Sequence, residues 1–266
     1  MKITILLPTY NRLENLKFAI QSILSQTYDN FQLIIINDAS NDGTFEFLKS
    51  LNYEMINCKI IHNEENLGLQ KSLNRGLLHA TGELIARIDD DDEWIDKNKL
   101  EKQVNCFYKN KNLVLLGTGA EFNGKKFRNP LLNRKIRQHI LFRCPFYHST
   151  VMFKHIVNNQ KVFYNDAYPY SEDWELWLRL GNFGEIQNLP DITTLISKGL
   201  NMSKTYYTIQ HKMNLEIIRG FYAEYPNALF AMLYHKAVIF YFSIGLQRSK
   251  VHKTTSKLFY SVFHRN

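Results

Sequence analysis

At 266 residues, 45% hydrophobic and 22% charged, the chain is long enough to bury a full core in one large domain with a small appendage. Its formal net charge of +8 points to anionic partners: nucleotides, nucleic acid or an anionic membrane surface. Cys58, Cys106 and Cys144 are odd in number and scattered, which excludes a disulfide framework or a CxxC metal site and reads as a reduced, cytoplasmic protein.

The first apolar run, Met1 to Leu7, predicts a strand stopped by Pro8, and it is too short for a signal peptide. After the loop Pro8-Thr9-Tyr10-Asn11-Arg12, the spacing of Leu13, Leu16, Ile20, Ile23 and Leu24 predicts a helix to about Ser25. Phe31 to Ile36 and Lys59 to His62 are two further strands. Their nearly unbroken apolar runs suit a parallel sheet covered on both faces. Ser72 to Ala80 reads as a helix ended by Thr81-Gly82. Leu84 to Ile88 then forms a short strand that stops abruptly at Asp89-Asp90-Asp91-Asp92. Four adjacent carboxylates repel one another, so a cation belongs among them. A hard divalent ion such as Mg²⁺ or Mn²⁺ takes oxygen ligands, commonly one or two carboxylates plus substrate phosphates. Strand alternation lets Asp89 and Asp91 point the same way. A solvated acidic loop capping the next helix is the plainer alternative. The polar loops all follow strand C-termini, the edge at which open α/β sheets bind ligands. GxGxxG and GxxxxGK[ST] are absent, which argues against Rossmann and P-loop sites.

These stretches resemble the family 2 glycosyltransferases, which are nucleotide-sugar enzymes of the GT-A fold. The resemblance is carried by Pro8 to Arg12, by Asn37-Asp38-Ala39-Ser40-Asn41-Asp42-Gly43-Thr44, by Asn66-Leu67-Gly68 with Asn74-Arg75-Gly76 and Ala80 to Glu83, and by Arg87 to Asp92. It implies an α/β GT-A fold with a mostly parallel central sheet flanked by helices, spanning residues 1–200, and a C-terminal helical extension over 201–266. It also implies a UDP-sugar donor held by Pro8, Thr9, Tyr10, Asp38, Asn66, Gly68, Asn74, Arg87, Asp89 and Asp90. In that picture Asp38 bonds the uracil, and Asp89 and Asp91 match an Asp-x-Asp pattern that binds Mn²⁺ or Mg²⁺. Leu73 stands where many members carry Arg, so Lys71 is the alternative cation toward the donor.

Further along, Ile95 to Tyr108 reads as a helix, Leu113 to Leu116 as a strand and Arg134 to Arg143 as a short basic helix. Cys144 to Phe153 is a polar step into another strand. The resemblance puts its His148 on the acceptor side; a structural histidine at a strand edge is the other reading. In Ser171-Glu172-Asp173-Trp174-Glu175-Leu176-Trp177, Ser171 suits an N-cap and the acids suit a first helical turn. The resemblance adds chemistry to that helix start. Asp173 matches the catalytic base, and Glu172 and Trp174 are implied to lie against the acceptor. After Glu185 to Leu189 the resemblance fades; Leu195 to Gly199 stands where several relatives place a metal-binding His.

Tyr206 to Tyr222 reads as a helix, interrupted at Pro226. Ala228 to Leu246 approaches a membrane span, but His235 and Lys236 sit at its centre, where a charge costs about 3 kcal/mol on the insertion scale. A helix docked on the domain or lying at a membrane surface fits better. From Gln247 the chain carries Arg248, Lys250, Lys253, Lys257 and Arg265, interleaved with apolar residues and without an acid, a composition suited to an anionic inner-leaflet surface. The whole reads as a metal-dependent, inverting glycosyltransferase of lipopolysaccharide, capsule or related surface-glycan synthesis. Its partners would be a UDP-sugar, an oligosaccharide or lipid-linked acceptor and the inner membrane face. No aromatic RNA-binding signature accompanies the charge, so nucleic acid is not expected. Two alternatives are an NDP-sugar nucleotidyltransferase, whose Gly-rich basic loop is missing, and a non-catalytic membrane- or nucleic-acid-binding module.

Overall fold

The computed structural model describes residues 1–51, 57–197 and 204–244. Its strand β1 (Ile3–Thr9) is buried at every position. It runs parallel between β2 (Phe31–Asn37) and β4 (Leu84–Arg87), with Ile3 opposite both Phe31 and Leu84. Beyond β2 lies β3 (Cys58–His62), also parallel. The pleat sends alternate side chains to opposite faces. Ile3, Ile5 and Leu7 join the core beneath α1 (Leu13–Leu24) and α4 (Lys99–Lys109). Leu6 joins Ile34, Ile36 and Ile85 beneath α3 (Leu69–Leu78) and α6 (Glu172–Gly181). Both faces are covered, which is why these strands read as unbroken apolar runs.

The second half of the sheet is mixed. Its order is β3-β2-β1-β4-β8-β6-β11-β5. The short β8 (Met152–Lys154) is antiparallel to β4 and to β6 (Leu113–Phe122), β11 (Glu185–Leu195) is parallel to β6, and β5 (Glu93–Trp94) is antiparallel to β11. β7 (Lys125–Phe127) folds back on β6, and β9 (Ile156–Val157) with β10 (Gln160–Lys161) forms a separate hairpin. The short helix α5 (Asn133–His139) lies between β7 and β8.

Several elements are longer or placed differently than periodicity suggests. β6 continues past Leu116 because Gly117 and Gly119 are close-approach positions, not strand ends. A Cβ at Gly117 would stand 2.2 Å from Asn188 Oδ1 and 2.7 Å from the Phe146 ring. β11 continues through Pro190 because its register against β6 shifts between Asn188 and Ile192, and a bulge tolerates proline. The turn after β2 ends in an unforeseen helix, α2 (Thr44–Ser50), entered through Gly43 at φ 88°. α4 starts at Lys99 and not at Ile95, since the Ile95 and Asp96 N–H groups both donate to Thr193 O.

One buried polar knot ties the start of β1 to the turn before β4. The Thr81 and Gly82 N–H groups donate to Thr4 Oγ1 at 3.2 and 2.9 Å, and the Thr4 hydroxyl donates to Gln32 Oε1 at 3.0 Å. Gly82 is required there: a Cβ would lie 2.4 Å from Thr4 N and 2.6 Å from Ile3 C.

The chain ends its described part in α7 (Lys204–Gly220) and α8 (Ala228–Ser243). α8 buries Ala228, Ala231, His235, Val238 and Phe242 and leaves Leu229, Phe230, Leu233 and Phe240 more than half exposed. No helix among the described residues is long and apolar enough to cross a membrane. The basic tail from Gln247 lies outside the described residues.

Candidate active site

β4 delivers Arg87 and Asp89 to the sheet edge. Arg87 is fully buried, and its guanidinium grips Asp89 as a fork: Nη1 to Oδ2 at 2.8 Å and Nη2 to Oδ1 at 2.6 Å. Ser149 completes the clasp, accepting from the Asp89 N–H at 2.9 Å and donating to Asp89 Oδ2 at 3.2 Å. Burial disfavours the Asp89 charge, but the Arg87 fork outweighs it and holds the carboxyl down at about 2. The Arg87 side chain is thus turned onto Asp89, behind the crevice, and among the cleft-lining residues it is absent.

The acidic run itself is a turn, closed by the Asp92 N–H donating to Asp89 O at 3.2 Å, because β4 stops at Arg87. Strand alternation therefore does not extend through it, and Asp89 and Asp91 have different partners. Asp92 turns inward to the Ser149 hydroxyl and the Ser197 N–H. Burial and the Asp89 charge push it up to about 7. Asp90 accepts from the Tyr10 N–H at 3.3 Å, and Arg12 Nη1 spans Asp90 Oδ1 at 3.1 Å and Asp91 Oδ2 at 2.8 Å. Burial pushes Asp90 upward despite Arg12.

Asp89, Asp90 and Asp91 line a cleft of about 640 Å³ together with Pro8, Thr9, Tyr10, Arg12, Asp38, Asn66, Gly68, Leu69 and Ser72. Asp38, nearly buried, shapes one wall. It accepts from Asn63 Nδ2 at 2.6 Å, the Leu67 N–H at 2.8 Å and the Gly68 N–H at 2.9 Å, so it fixes the Asn66-Leu67-Gly68 turn. A carboxylate has about four acceptor positions, which leaves one toward the cleft. Asn74 does not line this cleft. Its amide clamps the backbone of Tyr164, donating to O at 2.9 Å and accepting from N–H at 2.8 Å, and joins α3 to the loop before α6.

The donor chemistry of the acidic turn fits a divalent ion only as a shared site. Among the described residues no group of three His, Cys, Asp or Glu side chains is set to hold a metal. Asp89 and Asp91 both line the cleft with hard oxygens, and diphosphate oxygens and water would supply the remaining ligands.

A second cavity, about 280 Å³, opens on the N-terminus of α6. Asp173 lines it with Ser171, Trp174, Arg143, Cys144 and side chains of α7 and α8, among them Gln210, His211, Asn214 and Tyr234. Ser171 holds the N-cap position but does not cap. Its hydroxyl donates to Asn214 Oδ1 at 2.7 Å and so joins α6 to α7. Trp174 Nε1 donates to Ile140 O at 2.6 Å, fixing the indole as a wall. His148 pairs with the Tyr164 hydroxyl at 3.0 Å and meets the Trp177 ring edge-on. Burial and the Arg87 charge keep it neutral, well below the ordinary histidine value. Asp173 Oδ1 accepts from the Trp174 N–H at 2.7 Å. Burial raises both carboxyls, and for Glu172 the neighbouring Asp173 charge adds to it and pushes it to about 8. Glu172 therefore keeps its proton at neutral pH, and the same burial raises the proton affinity of Asp173 beside it. The Arg87 and Asp89 charges act on both, which joins the two cavities electrostatically.

Residues 4–166, more than half of the 266-residue chain, match the sequence pattern described as Glycosyl transferase family 2. The chain belongs to that family. It is 30% identical over 231 residues to an uncharacterized glycosyltransferase of Haemophilus influenzae, covering 80% of this chain and 69% of that one. It is 31% identical over 210 residues to the amylovoran biosynthesis glycosyltransferase AmsE of Erwinia amylovora, covering 75% and 77%. With the UDP-Glc:alpha-D-GlcNAc-diphosphoundecaprenol beta-1,3-glucosyltransferase WfgD of Escherichia coli it shares 32% over 183 residues, covering 67% and 69%. Among solved structures, S. aureus TarS residues 1-349 superpose with a TM-score of 0.71 at 18% identity, covering 96% of this chain and 77% of that one. TarS has also been solved with UDP-GlcNAc. The mannosyltransferase PcManGT of Pyrobaculum calidifontis, in complex with GDP-Man and Mn2+, gives 0.68 at 15% identity, covering 100% and 76%. The glycosyltransferase therefore has the GT-A fold, as its motifs suggest.

Sequence reasoning on the glycosyltransferase passed over Arg12, Ser149 and the α7 residues that line the second cavity. Arg12 stands inside a quoted motif, yet its partners lie far along the chain; the α7 residues carry no motif. The Glu172 shift gives a pH test. Unfolded, Glu172 ionises near the ordinary glutamate value; folded, it holds its proton to about 8. The folded form binds the extra proton between those values, so this group's share of stability falls as pH rises through that window. Glu172→Gln lacks the slope. The melting temperature of Glu172→Gln relative to wild type is expected to rise by about 2–4 °C or more between pH 5 and pH 9, on the scale that one kcal/mol produces in a chain of this size. A difference that stays flat across that range would contradict the buried-carboxyl account.

Proposed function

We propose that the glycosyltransferase moves a sugar from a UDP-sugar to a hydroxyl of a glycan acceptor, with inversion, in the synthesis of lipopolysaccharide, capsule or a related surface polysaccharide. The observation that carries this reading is the Glu172–Asp173 pair. Burial raises both carboxyls, and Asp173 stands at a second cavity coupled by charge to the acidic turn of the cleft. The relatives' names support the substrate class: AmsE is an amylovoran enzyme and WfgD a UDP-Glc enzyme with a diphosphoundecaprenol acceptor.

In this reading the donor lies in the 640 Å³ cleft. Pro8, Thr9 and Tyr10 meet base and ribose, and the remaining acceptor position of Asp38 takes the uracil N–H. The Asn66 to Gly68 turn, held by Asp38, forms the wall beside it. Asp91, with Asp89, would hold Mn²⁺ or Mg²⁺, which when bound offsets negative charge on the departing diphosphate. The acceptor enters the second cavity against Trp174 and Asp173; Glu172 and His148 are not among the residues that line it. Its hydroxyl oxygen attacks the anomeric carbon as the bond to the diphosphate oxygen breaks. The bonding pair leaves with UDP, and Asp173 takes the hydroxyl proton. The raised proton affinity of Asp173 makes it a better base than an exposed aspartate, and neutral Glu172 keeps a second negative charge away from the attacking oxygen. A single displacement of this kind inverts the anomeric centre.

The enzyme is further proposed to sit on the inner face of the cytoplasmic membrane. The exposed apolar side chains of α8 and the basic composition of 247–266 support this.

Two measurements test these proposals. Asp173→Asn keeps the shape of the side chain and removes the proton acceptor, so turnover of the active UDP-sugar from a panel is expected to drop by about a hundred- to ten-thousandfold, with UDP affinity close to wild type. Retained turnover per folded molecule would move the base elsewhere. For the membrane, co-sedimentation with phosphatidylglycerol-containing vesicles is expected to weaken with salt and to be lost on deleting 247–266. Unchanged sedimentation of the truncated enzyme would remove the tail as the anchor.

A further inference from the structure

We propose that Arg12 is a resident counter-cation of the acidic turn, which releases Asp91 only when a divalent ion arrives together with a diphosphate that can take the freed guanidinium. This rests on the metal-and-donor site proposed above and concerns how that site is loaded.

The two arginines of the acidic turn differ in freedom. Arg87 is fully buried, engages both oxygens of Asp89 and has nowhere to go. The side chain of Arg12 is 39% exposed and reaches over the cleft from the loop after β1. The loop itself is fixed. The Asn11 N–H donates to Ser40 Oγ at 3.0 Å and Asn11 Oδ1 accepts from the Asn41 N–H at 2.8 Å, so the Arg12 backbone is held while its side chain can swing.

Arg12 Nη1 lies 2.8 Å from Asp91 Oδ2 and 3.1 Å from Asp90 Oδ1. That is the position a metal ion needs if Asp91 is to ligate it. A guanidinium and a divalent ion cannot share one carboxylate edge, because two cations so close repel strongly in a half-buried cleft. A metal ion alone must therefore break the Arg12–Asp91 contact and leave the guanidinium on Asp90 alone, beside a new cation. A diphosphate removes that penalty, since guanidinium N–H groups match phosphate oxygens in a bidentate geometry. Arg12 then exchanges carboxylates for phosphate. The metal ion takes Asp91, and each ligand makes room for the other. Reciprocity follows: whatever the diphosphate adds to metal affinity, the metal adds to diphosphate affinity.

The test is Mn²⁺ titration by calorimetry on the full-length wild type, Arg12→Gln and Arg12→Lys, without nucleotide and then with saturating UDP. Thermal melts check that each variant is folded. Without nucleotide, Arg12→Gln is expected to bind Mn²⁺ at least about tenfold more tightly than wild type, within the usual range of coupling between sites. Arg12→Lys, which keeps the cation, is expected to stay near wild type. UDP is expected to tighten Mn²⁺ binding by a larger factor in wild type than in Arg12→Gln. Equal or weaker Mn²⁺ affinity in nucleotide-free Arg12→Gln, undetectable binding in both included, overturns the proposal, as does an equal gain from UDP. If wild type binds no Mn²⁺ even with UDP, it is the metal-dependent donor site that fails, and the Arg12 exchange falls with it. Normal Mn²⁺–UDP binding with an indifferent Arg12→Gln removes the exchange alone.

Discussion

A guanidinium buried at the end of a sheet strand needs an anion, and in this chain the anion is Asp89. Arg87 is fully buried in that fork, while the Asp89 side chain is 31% exposed toward the cleft. Removing one partner of such a pair leaves an uncompensated buried charge, at about 3–5 kcal/mol. The fork sets the geometry around it. It ends β4, turns the chain at Asp89, and brings Ser149 and with it the His148 segment against the strand. Its field extends to Glu172 and Asp173, so the same pair that shapes the cleft also conditions the proposed base.

Two carboxylate centres of different character meet across that fork. The acidic turn is half open and paired with arginines, and its Asp89 stays ionised far below neutral pH. The α6 start is half-buried, near Tyr164, and its carboxyls are driven upward. One centre is suited to a cation and a diphosphate, the other to proton transfer. The C-terminal helices matter because they close the second cavity. Asn214 reaches Ser171 and Gln210 Nε2 reaches Tyr170 O at 3.0 Å, so α7 is bonded directly to the helix start that carries Asp173.

The parts of this fold legible in the sequence are those fixed by local pattern. β1, β2, α1 and β4 follow from unbroken or periodic apolar residues. The crevice at their C-terminal ends follows from the connectivity of α/β units, and the GT-A expectation rests on the motifs of that half. What was not legible depends on pairings distant in the chain. Arg12 meets Asp91, Asn74 meets Tyr164 and Ser171 meets Asn214, and in each case a polar residue with a plausible local role is engaged by a partner far away. β6 continues through Gly117, past the Leu113 to Leu116 strand, and β11 runs through Pro190. Those residues normally punctuate chains, whereas here one permits close packing and the other sits at a bulge. β4 ends at Arg87, so Asp89 and Asp91 line one cleft from a turn and not from a strand.

The central claim is that an acceptor oxygen activated at Asp173 attacks the anomeric carbon from the side opposite the diphosphate. Product stereochemistry reports this directly. With the active UDP-α-sugar, proton NMR of the transfer product, or of the sugar first released to water before it equilibrates, is expected to show the β anomer. Retention of the α configuration would contradict the single displacement and, with it, the role assigned to Asp173.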